Sequence, residues 1–357
     1  MRVNWLSVQD FRNYTSARLE LARDGLTVVV GENGHGKTNL LEALAWLATL
    51  SSFRGAPNDA MVRQGADRAY VRAEIDRDGR SVLLEAELPP RGSPRVLVNG
   101  NALKRSNDLL GALRVSVFSP DDLALIKGGP SHRRQLLDDA LVALAPHHAE
   151  TISAVDRVLK QRGALLRQAG GKATPEVVST LDVWDSKLAE HGSVLAAARH
   201  ELVTRLEPLV AKAYAAVASG AASITLRYAP SWSDDLHAAL TAARSDDLRR
   251  GVTTIGPHRD ELELHIGTLP ARTHASQGEQ RSLALALRLA VHDAVTDATR
   301  SAPILLLDDV FSELDPHRSA ALMTALPAGQ AVLTTAGLLP AGAAPSATVH
   351  IADGTIQ

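Results

Sequence analysis

Three short runs in this chain carry residue types whose spacing suits phosphate chemistry. The first, Gly31-Glu32-Asn33-Gly34-His35-Gly36-Lys37-Thr38, fits G-x-x-x-x-G-K-[ST]. Glycines let successive backbone N–H groups curl around an anion, and the N-terminus of a following helix adds partial positive charge. Lys37 is placed to reach the β- and γ-phosphates of ATP, and the Thr38 hydroxyl to ligate Mg²⁺. The second run, Ile304-Leu305-Leu306-Leu307-Asp308-Asp309, drives four aliphatics into two carboxylates. Asp308 is expected to hold the metal through water, and Asp309 to polarise an attacking water as general base. The third is Ser276-Gln277-Gly278-Glu279-Gln280-Arg281. Ser276 and Glu279 make a capping box at a helix start. Such a start, with Gly at its second position, also offers free amides to an anion.

Each run has a plain structural explanation taken singly: a glycine turn, a polar strand end, a helix cap. Their positions in the pattern of elements argue otherwise. Thr27–Val30 reads as a buried strand entering the glycine turn, and a helix from Lys37 to about Thr49 leaves it, with Leu40, Leu41, Leu44, Leu47 and Ala48 on one face. Short strands are expected at 3–9, 16–21, Tyr70–Ile75, Ser81–Leu88 and Arg95–Val98, the last running into the hairpin signal Asn99-Gly100. From about 121 to 218 the pattern is helical, broken by Gly128-Gly129-Pro130, Pro146, Gly170-Gly171 and Pro175. Strands return at Ser223–Tyr228 and Glu261–Ile266, followed by a long Ala/Leu helix, the acidic strand, Ala331–Thr335 and a terminal pair near Thr348–Ile356. The acidic strand is expected beside the Thr27–Val30 strand. This order predicts an α/β head, a mixed sheet with flanking helices, in two parts (1–125 and 251–357) interrupted by a mainly helical lobe, 126–250.

Composition narrows the partners less than the motifs do. The 357 residues include no Cys, which excludes a disulfide scaffold, a thiolate metal site and a cysteine nucleophile. No signal-peptide h-region and no membrane-length apolar run is visible, so a soluble, cytoplasmic protein without a membrane partner is expected. The net charge of −2 hides an uneven spread: residues 54–134 hold 14 Lys and Arg against 10 acids, and residues 251–357 hold 6 against 11. The basic stretch is a candidate surface for DNA phosphates. Aromatics make up 3% of the chain, too few for a base-stacking platform, so any DNA contact should be to the backbone.

The third run decides the class. In ABC-type ATPases an S-x-G-x-Q/E element precedes the acidic strand in this way and meets, across a dimer interface, the γ-phosphate held by the other subunit. Ser312-Glu313-Leu314-Asp315 follows at the place of their D-loop, and Thr335 stands at the end of the strand that bears their switch residue. Within that class the chain resembles the RecF family of bacterial recombination-mediator ATPases, nearly end to end. The resemblance is carried by Phe11-Arg12-Asn13-Tyr14, Gly31–Ala43, Phe118-Ser119-Pro120-Asp121-Asp122-Leu123, Lys127–Arg134, Gly256-Pro257-His258-Arg259-Asp260, Ser276–Arg281 and Leu306–Asp315. It implies ATP-dependent homodimerisation on double-stranded or junction DNA, slow DNA-stimulated hydrolysis, and action with RecR and RecO to assist RecA loading. By position alone Arg12 and Asn13 are candidates for adenine recognition. Leu50-Ser51-Ser52-Phe53-Arg54 is similar to the arginine loop of SMC-type heads, which makes Arg54 a candidate for DNA or interface sensing. The basic stretch makes Arg133 and Arg134 candidate DNA contacts. No Gln stands where transporter ATPases carry their γ-phosphate sensor, and Asp121 is the first substitute considered. The missing Gln and His switches weigh against a transporter subunit, and intact Lys37, Asp308 and Asp309 against a scaffold that merely holds ATP.

Overall fold

Burial separates two kinds of strand in this chain. Every residue of Ile304–Asp308 is buried, as are all but the last of Gln330–Thr335. Ala69–Arg77, by contrast, alternates buried and half-buried positions along nearly its whole length. Strands hidden on both faces belong to a covered parallel sheet, and alternating ones to an antiparallel sheet with one wet face. The computed structural model, which describes residues 1–77, 79–218, 222–337 and 339–357, contains both.

The parallel sheet runs Thr355–Ile356, Pro345–Ala352, Gly25–Val30, Gln330–Thr335, Ile304–Asp308, Val115–Phe118, with only its first pair antiparallel. The antiparallel sheet runs Tyr14–Glu20, Arg2–Phe11, Ala69–Arg77, Arg80–Leu88, Arg95–Val98, Asn101–Ala102. Asn99 and Gly100 both take positive φ, at 51° and 77°, and close the last hairpin as their pairing predicts. The helix Lys37–Thr49 shares one core with both sheets. Leu40, Leu41, Leu44, Trp46 and Leu47 are buried with Leu6, Val8 and Ile75 of the antiparallel sheet and Val29, Leu306 and Val332 of the parallel one. A helix whose Leu, Ala and Trp residues lie on most of its faces has to be covered on most of them. Buried Gln330 ties the two sheets together, its side chain accepting from Val3 N–H at 2.7 Å and donating to Val3 O at 2.7 Å.

One expectation about this sheet is corrected. The acidic strand does not lie beside the strand that enters the glycine turn; Gln330–Thr335 lies between them, with Leu333 paired to Val28 on one side and Leu307 on the other. Parallel neighbours are joined by crossovers, so order along the chain does not give order in the sheet. The three strands run in the same direction, and their C-terminal ends finish at one edge.

The chain divides into two compact units, Met1–Leu123 with Leu209–Ala222 and Gln277–Gln357, and Ala124–Pro208 with Ser223–Ser276. The second holds the helices Pro130–Leu144, His148–Ala169 and Leu236–Arg250, most of the 43-residue helix Pro175–Val217, and a three-stranded sheet. The lobe therefore runs past 250, because Glu261–Ile266 pairs residue for residue with Ile224–Ala229. Within the long helix the division falls at Pro208, which cannot donate the helical hydrogen bond. Arg162 anchors this unit, fully buried between the buried carboxylates of Asp185 and Asp247 at 2.7 Å each.

Candidate active site

The glycine turn is built around Lys37. Its Nζ donates to the carbonyls of Gly31 at 2.7 Å and Glu32 at 2.8 Å, closing the loop on itself. Gly36 takes φ 105° and precedes a helix with no side-chain cap, so the first amides of Lys37–Thr49 are left to an anion. Gly31 has no room for a Cβ, which would run into the carbonyl of Ile351. Burial lowers the Lys37 pKa, while the charges of Asp309 and Asp308 pull it back up. The ammonium is thus held by two neutral carbonyls against the pull of burial.

Thr38 leads to the acidic strand. Its hydroxyl donates to Asp308 Oδ1 at 2.8 Å, and the Thr334 hydroxyl donates to the same oxygen at 2.8 Å. Burial raises the Asp308 pKa against these two hydrogen bonds, and the neighbouring Asp309 raises it further. Asp309 sits in the left-handed region at φ 46°, its N–H donating to Thr334 Oγ1 at 3.0 Å. Asp308 meets Thr38, and both carboxylates lie within Coulomb reach of Lys37. Among the described residues no three acidic or imidazole side chains cluster to hold a metal. A hydroxyl and a carboxylate oxygen are hard donors suited to Mg²⁺, and their number leaves most of the coordination to phosphate and water.

The structure brings Gly31–Thr38, Asp308 and Asp309 together. Of the two strand-end threonines, Thr334 meets Asp308, while the Thr335 hydroxyl accepts from Gly337 N–H and its carbonyl from Gly31 N–H. Strand alternation gives the inward place to Thr334, whose two-residue ambiguity only pairing with Asp308 resolves. Asp121 is exposed on the turn Pro120–Leu123, and its neighbour Asp122 is the buried member, receiving Arg288 at 2.6 Å. Arg12 is engaged elsewhere, bidentate on Glu42 at 2.8 and 2.6 Å and donating to Ala60 O. Asn13 does lie at the loop, with Nδ2 donating to His35 O at 3.2 Å. His35 also receives the C-terminal turn, from Asp353 N–H on Nδ1 and Gly354 N–H on its carbonyl, both at 3.2 Å, which sequence reading missed.

The basic candidates divide. Arg133 is no surface cation: it is buried, bidentate on Glu261 and donating to the carbonyls of Leu125 and Gly128. Half-buried Arg134 donates to Asp260 O at 2.7 Å. Residues Gly256–Asp260 are likewise bound into the second unit, with Arg199 on Pro257 O, Arg259 on Thr253 O, and Tyr228 on Asp260. Arg54 keeps a side chain 43% exposed and donates to Asn39 Oδ1 at 3.3 Å.

The third run opens the helix Gln277–Thr299, with Ser276 immediately before it. Gly278 is where a side chain would collide with the Arg318 guanidinium. Arg318 in turn donates to Ser282 Oγ at 3.2 Å and pairs with Asp315, whose carboxylate caps the helix Pro316–Ala325. Asp315 thus reaches the helix Gln277–Thr299 through Arg318, an arginine that motif reading did not single out.

Comparison with known proteins agrees with this geometry. Residues 2–333 match the model of the RecF/RecN/SMC N-terminal domain. The DNA replication and repair protein RecF of Streptomyces avermitilis is 44% identical, with 100% of both chains covered. That of Frankia alni is 45% identical over 95% of this chain and 94% of its own. A solved structure described as the recombination mediator protein RecF-ATP in the RecFOR pathway superposes with a TM-score of 0.91 at 28% identity, covering 100% of this chain and 97% of the other. An SMC head bound to the C-terminal winged-helix domain of ScpA reaches 0.59 at 17% identity, a likeness of fold alone. An ABC-type head with its phosphate loop and acidic strand in place, matched along its whole length by these relatives, belongs to the RecF family.

Proposed function

We propose that this chain is an ATP-dependent DNA clamp of recombinational repair and replication restart. ATP bound at Gly31–Thr38 drives two copies together on gapped or junction DNA, and slow, DNA-stimulated hydrolysis releases them. The observation that carries this reading is the meeting of Lys37, Thr38, Asp308 and Asp309 at one sheet edge. The ATP-bound and pathway descriptions of its solved relative support it.

Lys37 leaves the Gly31 and Glu32 carbonyls for the β- and γ-phosphates, and the helix amides take the remaining oxygens. Thr38 Oγ1 and Asp308 would hold Mg²⁺, which supplies neutralisation of phosphate charge when bound. Asp309, free of the Thr38 contact that occupies Asp308, orients and polarises the attacking water. Ser276–Gln280 of one copy close over the nucleotide of the other, with Asp315 beside them. Asn13 is the remaining candidate contact near the loop, and Arg54, with Arg134 second to it, for DNA phosphates. RecR and RecO would act on the closed dimer to assist RecA loading.

Lys37→Met tests this reading. The variant should keep its fold yet lose ATP-induced dimerisation and DNA retention in sedimentation runs at saturating ATP. Dimerisation equal to that of the unmodified chain would remove the assignment.

A further inference from the structure

The helix Lys37–Thr49 is lined with Leu, Ala and Trp, yet one carboxylate, Glu42, is wholly buried in it. A buried carboxylate persists only when its oxygens are paired, and both are. Oε1 receives Arg12 Nη2 at 2.6 Å and a short hydrogen bond from Ser52; Oε2 receives Arg12 Nε at 2.8 Å. Arg54 Nη1 stands 3.9 Å from Oε2, a looser second cation.

What these two arginines hold is the frame of the phosphate loop. Arg12 has φ 54°, a left-handed conformation that a non-glycine residue keeps only when its surroundings enforce it, at the tip of the first hairpin. It delivers the next residue, Asn13, onto the loop. Asn13 Nδ2 bonds His35 O, Asn13 Oδ1 accepts from Asn39 at 2.8 Å, and a Cβ on Gly36 would fall 2.6 Å from Asn13 Nδ2. From the other side Arg54 donates to Asn39 Oδ1. Asn39, adjacent to Thr38, is therefore clamped by two segments that converge on Glu42. Glu42 itself lies one helical turn beyond Thr38, on the same face.

We propose that Glu42 is a positioning residue for nucleotide binding, setting the phosphate loop through Arg12 and Asn13. This rests on the reading of Gly31–Thr38 as an ATP site. A carboxylate that only stapled two segments to a helix would affect stability and leave ATP affinity alone. One that positions the loop must be energetically coupled to Asn13, which it does not touch.

The experiment is a double-mutant cycle on ATP affinity, measured by calorimetry with Glu42→Gln, Asn13→Ala and the pair, and with thermal unfolding as a check on fold. Each single change should weaken ATP about tenfold, and the pair little more than either alone. Arg12→Lys, which keeps the charge but loses the fork, should couple to Asn13→Ala in the same way and replaces Glu42→Gln if that variant does not fold. Losses that multiply to about a hundredfold, or a Glu42→Gln chain that binds ATP normally, overturn the proposal. Lys37→Met run alongside separates the two levels. If it too binds ATP as the unmodified chain does, the ATP site is misplaced and the inference falls with it. If it loses ATP while Glu42 and Asn13 act independently, only the positioning role fails.

Discussion

Buried charge is used in opposite ways in the two units of this protein. Around the phosphate loop, Lys37 is spent on two neutral carbonyls and Asp308 on two hydroxyls, with burial opposing the charge of both. In the second unit, Arg162 lies between two buried carboxylates, and Arg199 is bidentate on Asp138. Neutral partners are readily given up when phosphate arrives; opposite charges sealed from water are not. The first arrangement suits exchange of partners, and the second fixes which segments lie side by side.

That contrast can be broken by experiment, and the largest effect should come from the second unit. Arg162→Met leaves buried Asp247 without its cation and Asp185 with Arg244 alone, and should cost about 3–5 kcal/mol in denaturant unfolding. A loss below about 1 kcal/mol would mean the network is dispensable.

Acid should then probe one histidine in each unit. Burial pushes the pKa of His258 and of His292 down to about 4, below the ordinary 6.5. Between these values the unfolded chain binds protons that the folded chain refuses, so stability falls as pH drops from about 6.5 to about 4 and levels off below. Fully buried His292 should account for on the order of 3 kcal/mol of that loss. His292→Leu should flatten the urea midpoint across this window; an unchanged slope would place the titration elsewhere.

Ser276→Arg should cost only about 1 kcal/mol if the residue does no more than cap a helix. If the signature run closes on the nucleotide of a partner, the variant should bind ATP as a monomer and fail to dimerise. Mixed with Lys37→Met, it should recover part of the ATP-dependent dimer, because one composite site is then whole. Normal dimerisation by Ser276→Arg alone would leave the cap as its whole role.

The smallest change in stability, and of opposite sign, is expected for Asp308→Asn. Its folded-state pKa is raised, so ionisation at neutral pH opposes folding, and an amide oxygen can still accept from Thr38 and Thr334. Without nucleotide the variant should be as stable as the unmodified chain or more so, by up to about 1 kcal/mol, while ATP turnover is lost. Marked destabilisation would make Asp308 a structural residue.

Most of the candidate site could be read from local order in the sequence. Gly31–Thr38 depends on residues adjacent in the chain, and the strand before it and helix after it announce themselves by apolar period. The same holds for the paired acids after Ile304–Leu307 and for the helix that starts after Ser276. Partners distant in sequence were not legible. Arg133 looked like a surface cation because Glu261, its buried partner, lies 128 residues away. Thr335 was named for the strand end, and only pairing with the acidic strand shows that Thr334 is the hydroxyl that meets Asp308. Glu42 drew no notice beyond its place in Gly31–Ala43, since no periodicity reveals that Arg12 and Ser52 converge on it. The sequence by itself determined the strand–loop–helix, the acidic strand end and the helix after Ser276, because each is specified by short-range sterics and hydrogen bonding. Only the tertiary structure decided the strand order, the extent of the lobe and which charges are buried, because burial and crossover depend on contacts that local pattern does not encode.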